Sequence, residues 1–205
     1  MRPGRTGSRA IFRRLGGRAI GAALLLAGCG GTNPRPEAPK PNPTTGNPSR
    51  SYPLSGVYLL GASGVPPADT TLRVRRGEPR VVVLRHAPPD NLTFAELFFP
   101  ADAFAGTGDS VRVTIRPRPG IYGIDLDTEA PLVSARLTFK YAVHFDASAD
   151  ARRRYGSATA FEQALAVGQV RRDDTVVFLV SSRPGPDNLE AALPAAGRYV
   201  VGAPK

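Results

Sequence analysis

From Leu54 onward the chain is a succession of short apolar runs separated by turn residues, and several runs alternate with a period of two. In "DSVRVTIRP", Val111, Val113 and Ile115 fall on one side of an extended chain, while Arg112, Thr114 and Arg116 fall on the other. The same reading predicts strands at "GVYLLGA", "TLRVRRG", "RVVVLRHA", "LTFAELFFP", "ARLTFKYA", "LAVGQVRR", "TVVFLVSS", "NLEAALP" and "RYVVGAP". Between them, "RPRPG", "RRDD", "RPGPDN" and "PAAG" supply the residues that turn dihedrals demand. Many short strands at regular spacing predict an all-β fold, an antiparallel sandwich or barrel, and of the two a single antiparallel β-sandwich over residues 54–205 is the expectation. Helix is predicted for one or two turns at "SADARRRYG", and "ATAFEQALAVGQV" fits helix as well as strand.

The N-terminal quarter follows a different pattern. Arg2, Arg5, Arg9, Arg13, Arg14 and Arg18 charge the first 18 residues, which hold no acidic residue, and an apolar run follows from Ala19 to Leu26. That run is far short of the roughly 20 apolar residues a membrane-spanning helix needs, and it has the length of a signal-peptide core. The only cysteine of the chain, Cys29, comes directly after Leu26, Ala27 and Gly28. This segment resembles the lipobox of bacterial lipoproteins. The resemblance implies removal of residues 1–28 by cleavage between Gly28 and Cys29, and acylation of Cys29 on its sulfur and its amine. Several acyl chains hold a protein far better than the marginal grip of one.

Residues 29–53 are rich in Pro, Gly, Asn, Thr and Ser, with no large apolar residue before Tyr52. Such a segment buries too little surface to offset its ordering entropy and reads as a disordered, partly polyproline-like tether. At about 3.1 Å per residue it reaches roughly 70 Å when extended. Gly30 follows the cysteine. By resemblance to proteobacterial lipoproteins, a residue other than aspartate there implies the outer membrane, with the domain facing the periplasm or the cell surface.

The leader also changes the charge balance. The chain has 27 basic and 17 acidic residues and a formal charge of +10; without the six leader arginines, 21 basic residues remain and the net charge is +4. A nucleic-acid partner, which the full-length charge would favour, therefore loses its support. No second cysteine exists to form a disulfide, so the exported domain depends on its hydrophobic core. A domain of about 150 residues buries roughly 68 to 70% of its unfolded surface, which suffices.

The run "FFPADAFAGTGDSVRVTIRPRPGIYGIDLD", followed by "ARLTFKYA", "LAVGQVRRDDTVVFL" and "NLEAALPAAGRYVVGAP", resembles the ZU-type β-sandwich shared by ankyrins, netrin receptors and bacterial surface proteins. The likeness covers roughly residues 72–203 and implies an immunoglobulin-like general architecture in a module for protein contact or mechanical load. The Arg-rich connection "ASADARRRYGS" departs from that family.

Candidate chemistry is sparse. On an extended strand His144 and Asp146 share a face, and Ser181 or Ser182 would complete a nucleophilic triad, yet no G-x-S-x-G elbow is present. On an extended chain Asp125, Asp127 and Glu129 alternate, which places three hard oxygen donors on one side, too few for a complete Ca²⁺ site and without the EF-hand glycine and distal glutamate, so "GIDLDTE" reads as a solvated strand end or turn. No zinc spacing, phosphate loop or dinucleotide fingerprint occurs, so no cofactor is implied. Arg152, Arg153 and Arg154, if brought beside Arg171 and Arg172, would make a patch for an anionic lipid headgroup or polysaccharide, although Asp150, Asp173 and Asp174 flank them. Phe94, Phe98, Phe99 and Phe104 read as core with a capping edge.

The sequence therefore predicts a membrane-anchored lipoprotein of the bacterial envelope, a non-enzymatic binding or assembly module whose partners would be an envelope protein or polysaccharide. The alternative is an envelope hydrolase using His144 and Asp146.

Overall fold

A computed structural model of the chain describes residues 51–141 and 145–205; Gly28, Cys29 and His144 lie outside them. In chain order the elements are β1 (Ser51–Pro53), a 3-10 turn (Leu54–Gly56), β2 (Val57–Leu59), β3 (Thr70–Arg75), β4 (Arg80–Arg85), β5 (Thr93–Phe99), β6 (Ser110–Pro117), β7 (Gly123–Thr128) and β8 (Ala135–Lys140). Two helices follow, α1 (Ala149–Tyr155) and α2 (Ala158–Ala164). The chain ends with β9 (Ala166–Val170), β10 (Thr175–Phe178), β11 (Ser181–Ser182), β12 (Asn188–Leu193) and β13 (Gly197–Pro204).

The strands form two antiparallel sheets packed face to face, an all-β sandwich as the alternation predicts. The larger runs β1-β10-β9-β13-β7-β6-β3, with β2 also on β13, and the smaller runs β11-β12-β8-β5-β4. Alternate residues of each strand fill the space between them: Val111, Val113 and Ile115 from β6, Ile124 and Leu126 from β7, and Tyr199 and Val201 from β13 belong to one core with Leu97, Phe99, Leu137, Phe139 and Leu189 of the smaller sheet. A second, smaller cluster joins Val57, Ala166, Val170, Val176, Phe178 and Val200, with Tyr52 and Leu54 packed against it.

Three local outcomes differ from the sequence reading. Strand β1 lies within the stretch assigned to the tether, yet Ser51, Tyr52 and Pro53 pair with Val177, Val176 and Thr175, because Tyr52 has Phe178 to pack against at 5.9 Å. The carboxylate-bearing "GIDLDT" is a full strand between β6 and β13. Its Ile124 and Leu126 are completely buried, which repays placing Asp125 and Asp127 on the opposite face. "TVVFLVSS" breaks in two: β10 ends at Phe178, and β11 pairs in the other sheet through Ser181 and Ala191. Crossing between sheets leaves Val180 67% exposed. The ambiguous "ATAFEQALAVGQV" divides into both predicted states, helix through Ala164 and strand from Ala166. Ser157 starts that helix by accepting a hydrogen bond from the Ala160 N–H at 3.0 Å.

Gly202 sits where β2 closes onto β13, and a Cβ there would meet the Tyr58 carbonyl oxygen at 2.7 Å and Val57 Cγ1 at 2.8 Å. Neither atom is the tip of a flexible side chain, so β2 must move to admit a methyl group. Gly202→Ala is expected to lower stability by about 1–3 kcal/mol in urea titration; an unchanged midpoint would mean that β2 is not held against β13 as described.

Burial pushes the hydroxyls of Tyr122, Tyr141 and Tyr199 up to about 12 from an ordinary value of 10.0. Above pH 10 the unfolded chain sheds these protons while the folded chain retains them, so the unfolded state gains. Stability is expected to be level below pH 10 and to fall steeply between pH 10 and about 12, read as the urea midpoint at successive pH values. A flat profile through that window would show that these hydroxyls are not buried.

Candidate functional site

The outward residues of β3, β6 and β7 make a charged face on the larger sheet, since the residues between them are committed to the core. Register sets the rows. Arg73 stands opposite Arg112 and Thr71 opposite Thr114, while Thr114 stands opposite Asp127 and Arg116 opposite Asp125. Asp125 in turn stands opposite Arg198 on β13.

One half of this face is neutralised internally. Arg118 reaches Asp125 at 2.9 Å and Arg198 reaches the other oxygen of the same carboxylate at 3.2 Å. Arg116 pairs with Asp127, and that hydrogen-bonded carboxylate, the largest influence on it, raises the guanidinium pKa further. Asp174 lies 3.9 Å from Arg198. The hydroxyl of Thr175 and then its backbone N–H hold the neighbouring Asp173 carboxyl below the usual range. A depression of about 580 Å³ opens between Asp127, Gln169, Arg171, Arg172 and Gly197.

These pairings change the meaning of the alternating carboxylates. Asp125 is clasped by two guanidiniums, Asp127 by one, and Glu129 accepts the Arg112 backbone N–H at 3.2 Å. Oxygens that alternation places on one side are directed to arginine, and among the described residues no group of three His, Cys, Asp or Glu side chains is placed to hold a metal ion.

The other half of the face is not neutralised. Arg73 and Arg112 are exposed direct cross-strand neighbours, an arrangement of like charge that destabilises a sheet. Among the described residues Arg73 donates only to the Ser110 hydroxyl, at 3.3 Å. Among the described residues no carboxylate pairs with the guanidinium of Arg73, Arg80 or Arg112. Where β3 leaves the larger sheet and β4 enters the smaller, Arg73, Arg75, Glu78, Pro79 and Arg80 line a depression of about 240 Å³. Its one acid, Glu78, lies 3.6 Å from Arg75 with both side chains mostly in solvent. The loop beneath is fixed by Arg76, whose Nη1 donates to the Phe104 carbonyl at 2.6 Å.

The basic clusters that are dense in sequence do not meet. Arg171 and Arg172 follow Val170, which pairs with Arg198 at the start of β13. Helix α1, which carries Arg152, Arg153 and Arg154, is tied to the far end of that strand by the Tyr155 hydroxyl donating to the Pro204 carbonyl at 2.6 Å. Arg198 to Pro204 spans about 20 Å of extended chain, so the joint patch does not form. Arg152 and Arg153 turn to Asp146 and Asp150 instead.

Of the residues considered for hydrolysis, His144 lies outside the described residues and Ser181 has a structural task. The buried Ser181 hydroxyl accepts the Val167 N–H at 3.0 Å and donates to the Leu179 carbonyl at 3.0 Å, holding the crossover between sheets. Ser182 is exposed on β11, and the Asp146 side chain is 87% exposed. Of the phenylalanines, Phe94, Phe99 and Phe104 are buried, while Phe98 lies on the outer face beneath the Arg136 guanidinium at 5.0 Å.

Arg73, Arg75, Arg76 and Arg80 fall within eight residues that hold one acid, so charge density along the chain was a signal for the corner, whereas Arg112 is remote in sequence. The other signal is alternation: "RVR" in β3 and "VRVTIR" in β6 place their arginines on a single face each. Comparison with known proteins returns no match, whether to a family model, a curated protein or a solved structure.

Because the Arg73 and Arg112 pair opposes folding, Arg73→Thr is expected to stabilise the domain by about 0.2–1 kcal/mol, measured by urea titration at low ionic strength, with the gain shrinking as salt is added. A loss of stability would show that the pair is compensated.

Proposed function

We infer that the protein is an exported lipoprotein, held in the bacterial envelope through an acylated Cys29, whose sandwich is a non-enzymatic binding or assembly module. The anchor rests on the charged leader, the short apolar run and the "LAGC" box. The binding role rests on one observation above all, the uncompensated Arg73 and Arg112 in direct cross-strand register. A purely structural sheet face gains nothing from two adjacent guanidiniums, whereas a face that receives an anion does. An envelope protein or polysaccharide with anionic groups suits that face, and the outer membrane is the location that Gly30 favours.

Intact mass measurement of membrane-extracted protein tests this, wild type beside Cys29→Ala. The expected wild-type chain begins at Cys29 and carries acyl mass, while the variant carries none and leaves the membrane fraction. A wild-type protein that keeps Met1, or that lacks lipid, would overturn the anchor and the location together.

A further inference from the structure

We propose that the corner between β3 and β4 is a phosphate site, and that its ligand is a phosphate-bearing polymer of the envelope. Arg73 and Arg75 extend from β3 at the edge of the larger sheet, and Arg80 begins β4 at the edge of the smaller one. Three arginines thus line one depression of about 240 Å³ from two sheets, and the one acid in its lining, Glu78, lies 3.6 Å from Arg75. A phosphoryl group offers oxygens in several directions and accepts guanidinium forks from more than one side. Arg112 lies directly beside Arg73 on the next strand, so a second phosphoryl group along the same chain of the ligand has a partner as well.

The cross-strand arginine pair gives this reading its energetic reason. With no carboxylate among the described residues paired to either guanidinium, the two cations cost folding stability, and a polyanion laid over them turns that repulsion into binding. On the rest of the face Arg116, Arg118 and Arg198 are occupied by Asp125, Asp127 and Asp174, and Arg171 and Arg172 line a separate depression beside Asp127. The corner differs in being lined by arginines from both sheets.

The choice of a polymer over the anchoring bilayer rests on the lipoprotein reading. The tether would enter at β1, at the opposite edge of the larger sheet from β3. Six inter-strand spacings of about 4.8 Å separate those edges by roughly 30 Å. With that offset and a tether that reaches roughly 70 Å, the corner is free to meet material in the envelope space while the chain stays anchored.

Binding of inorganic polyphosphate to the purified full-length chain tests the site, with vesicles of phosphatidylglycerol and phosphatidylcholine as the second arm. Arg73→Gln/Arg112→Gln is expected to weaken polyphosphate binding by about tenfold or more and to lower the slope of log affinity against log salt by about one for each arginine. Arg153→Gln/Arg154→Gln, with the same loss of charge on α1, is expected to stay within about twofold of wild type, since α1 lies outside the site. Arg80→Gln, on the other sheet, is expected to weaken binding as well, and it keeps the test informative if the double variant folds poorly. Equal weakening by the α1 variant, or no binding by wild type, would overturn the site. Vesicle binding through Arg73 and Arg112 without polyphosphate binding would overturn the polymer. The assay does not depend on acylation, so failure of the Cys29 experiment leaves the phosphate site standing and removes only the reason for preferring a polymer to the bilayer.

Discussion

Strand β13 is the constraint on which the larger sheet depends. It pairs with β9 along one side through Arg198–Gly202, and along the other with β7 through its first residues and with β2 through its last. Three segments distant in sequence are therefore joined by the final strand of the chain. Such pairings require closure of long loops before any contact repays the entropy, so assembly of this sheet is slow compared with its local hairpins. Gly168 and Gly202 show how closely the strands approach: a Cβ at Gly168 would collide with Val176 Cγ1. The crowded region is the second core, and its packing gives β1 and the 3-10 turn an apolar surface to cover.

The helices are held to this framework by polar contacts more than by their own length. Helices of seven residues are too short to persist alone in water. Ser148 and Ser157 cap their first turns. Arg183, just past β11, donates to the Leu165 carbonyl at 3.1 Å and to the Glu162 carbonyl, and its other terminal nitrogen donates to the Tyr141 hydroxyl at 2.7 Å. That hydroxyl donates in turn to the Glu162 carboxylate at 3.1 Å. The guanidinium thereby satisfies carbonyls left over at the end of α2 and links the helix to the end of β8.

The charged face divides along lines that follow from register. Rows that contain β7 and β13 alternate acid and base and neutralise themselves, while the row at the β3 edge has arginine opposite arginine. The protein thus combines a rigid, internally paired surface with a small cationic corner that is unfavourable for folding by itself. Stability given up at one place on an otherwise consistent sheet is the kind of local departure that a binding site produces.

Period-two alternation was enough to determine the fold class, the inward faces of β3, β6, β8 and β12, and the outward direction of each arginine, because a pleated strand leaves no other choice once one side is apolar. Composition set a proline-rich stretch apart from the core-forming domain, but not the boundary between them, because Ser51–Pro53 pair with β10. Which arginines become neighbours was not legible, since Arg73 and Arg112 are 39 positions apart and meet only when β3 pairs with β6. The same holds for Asp125 and Arg198, and for the separation of Arg152–Arg154 from Arg171 and Arg172 by the length of β13. A chain read residue by residue records which side of a strand each charge takes. Only strand order and register, set by the packing of two sheets on one core, decide what that charge faces.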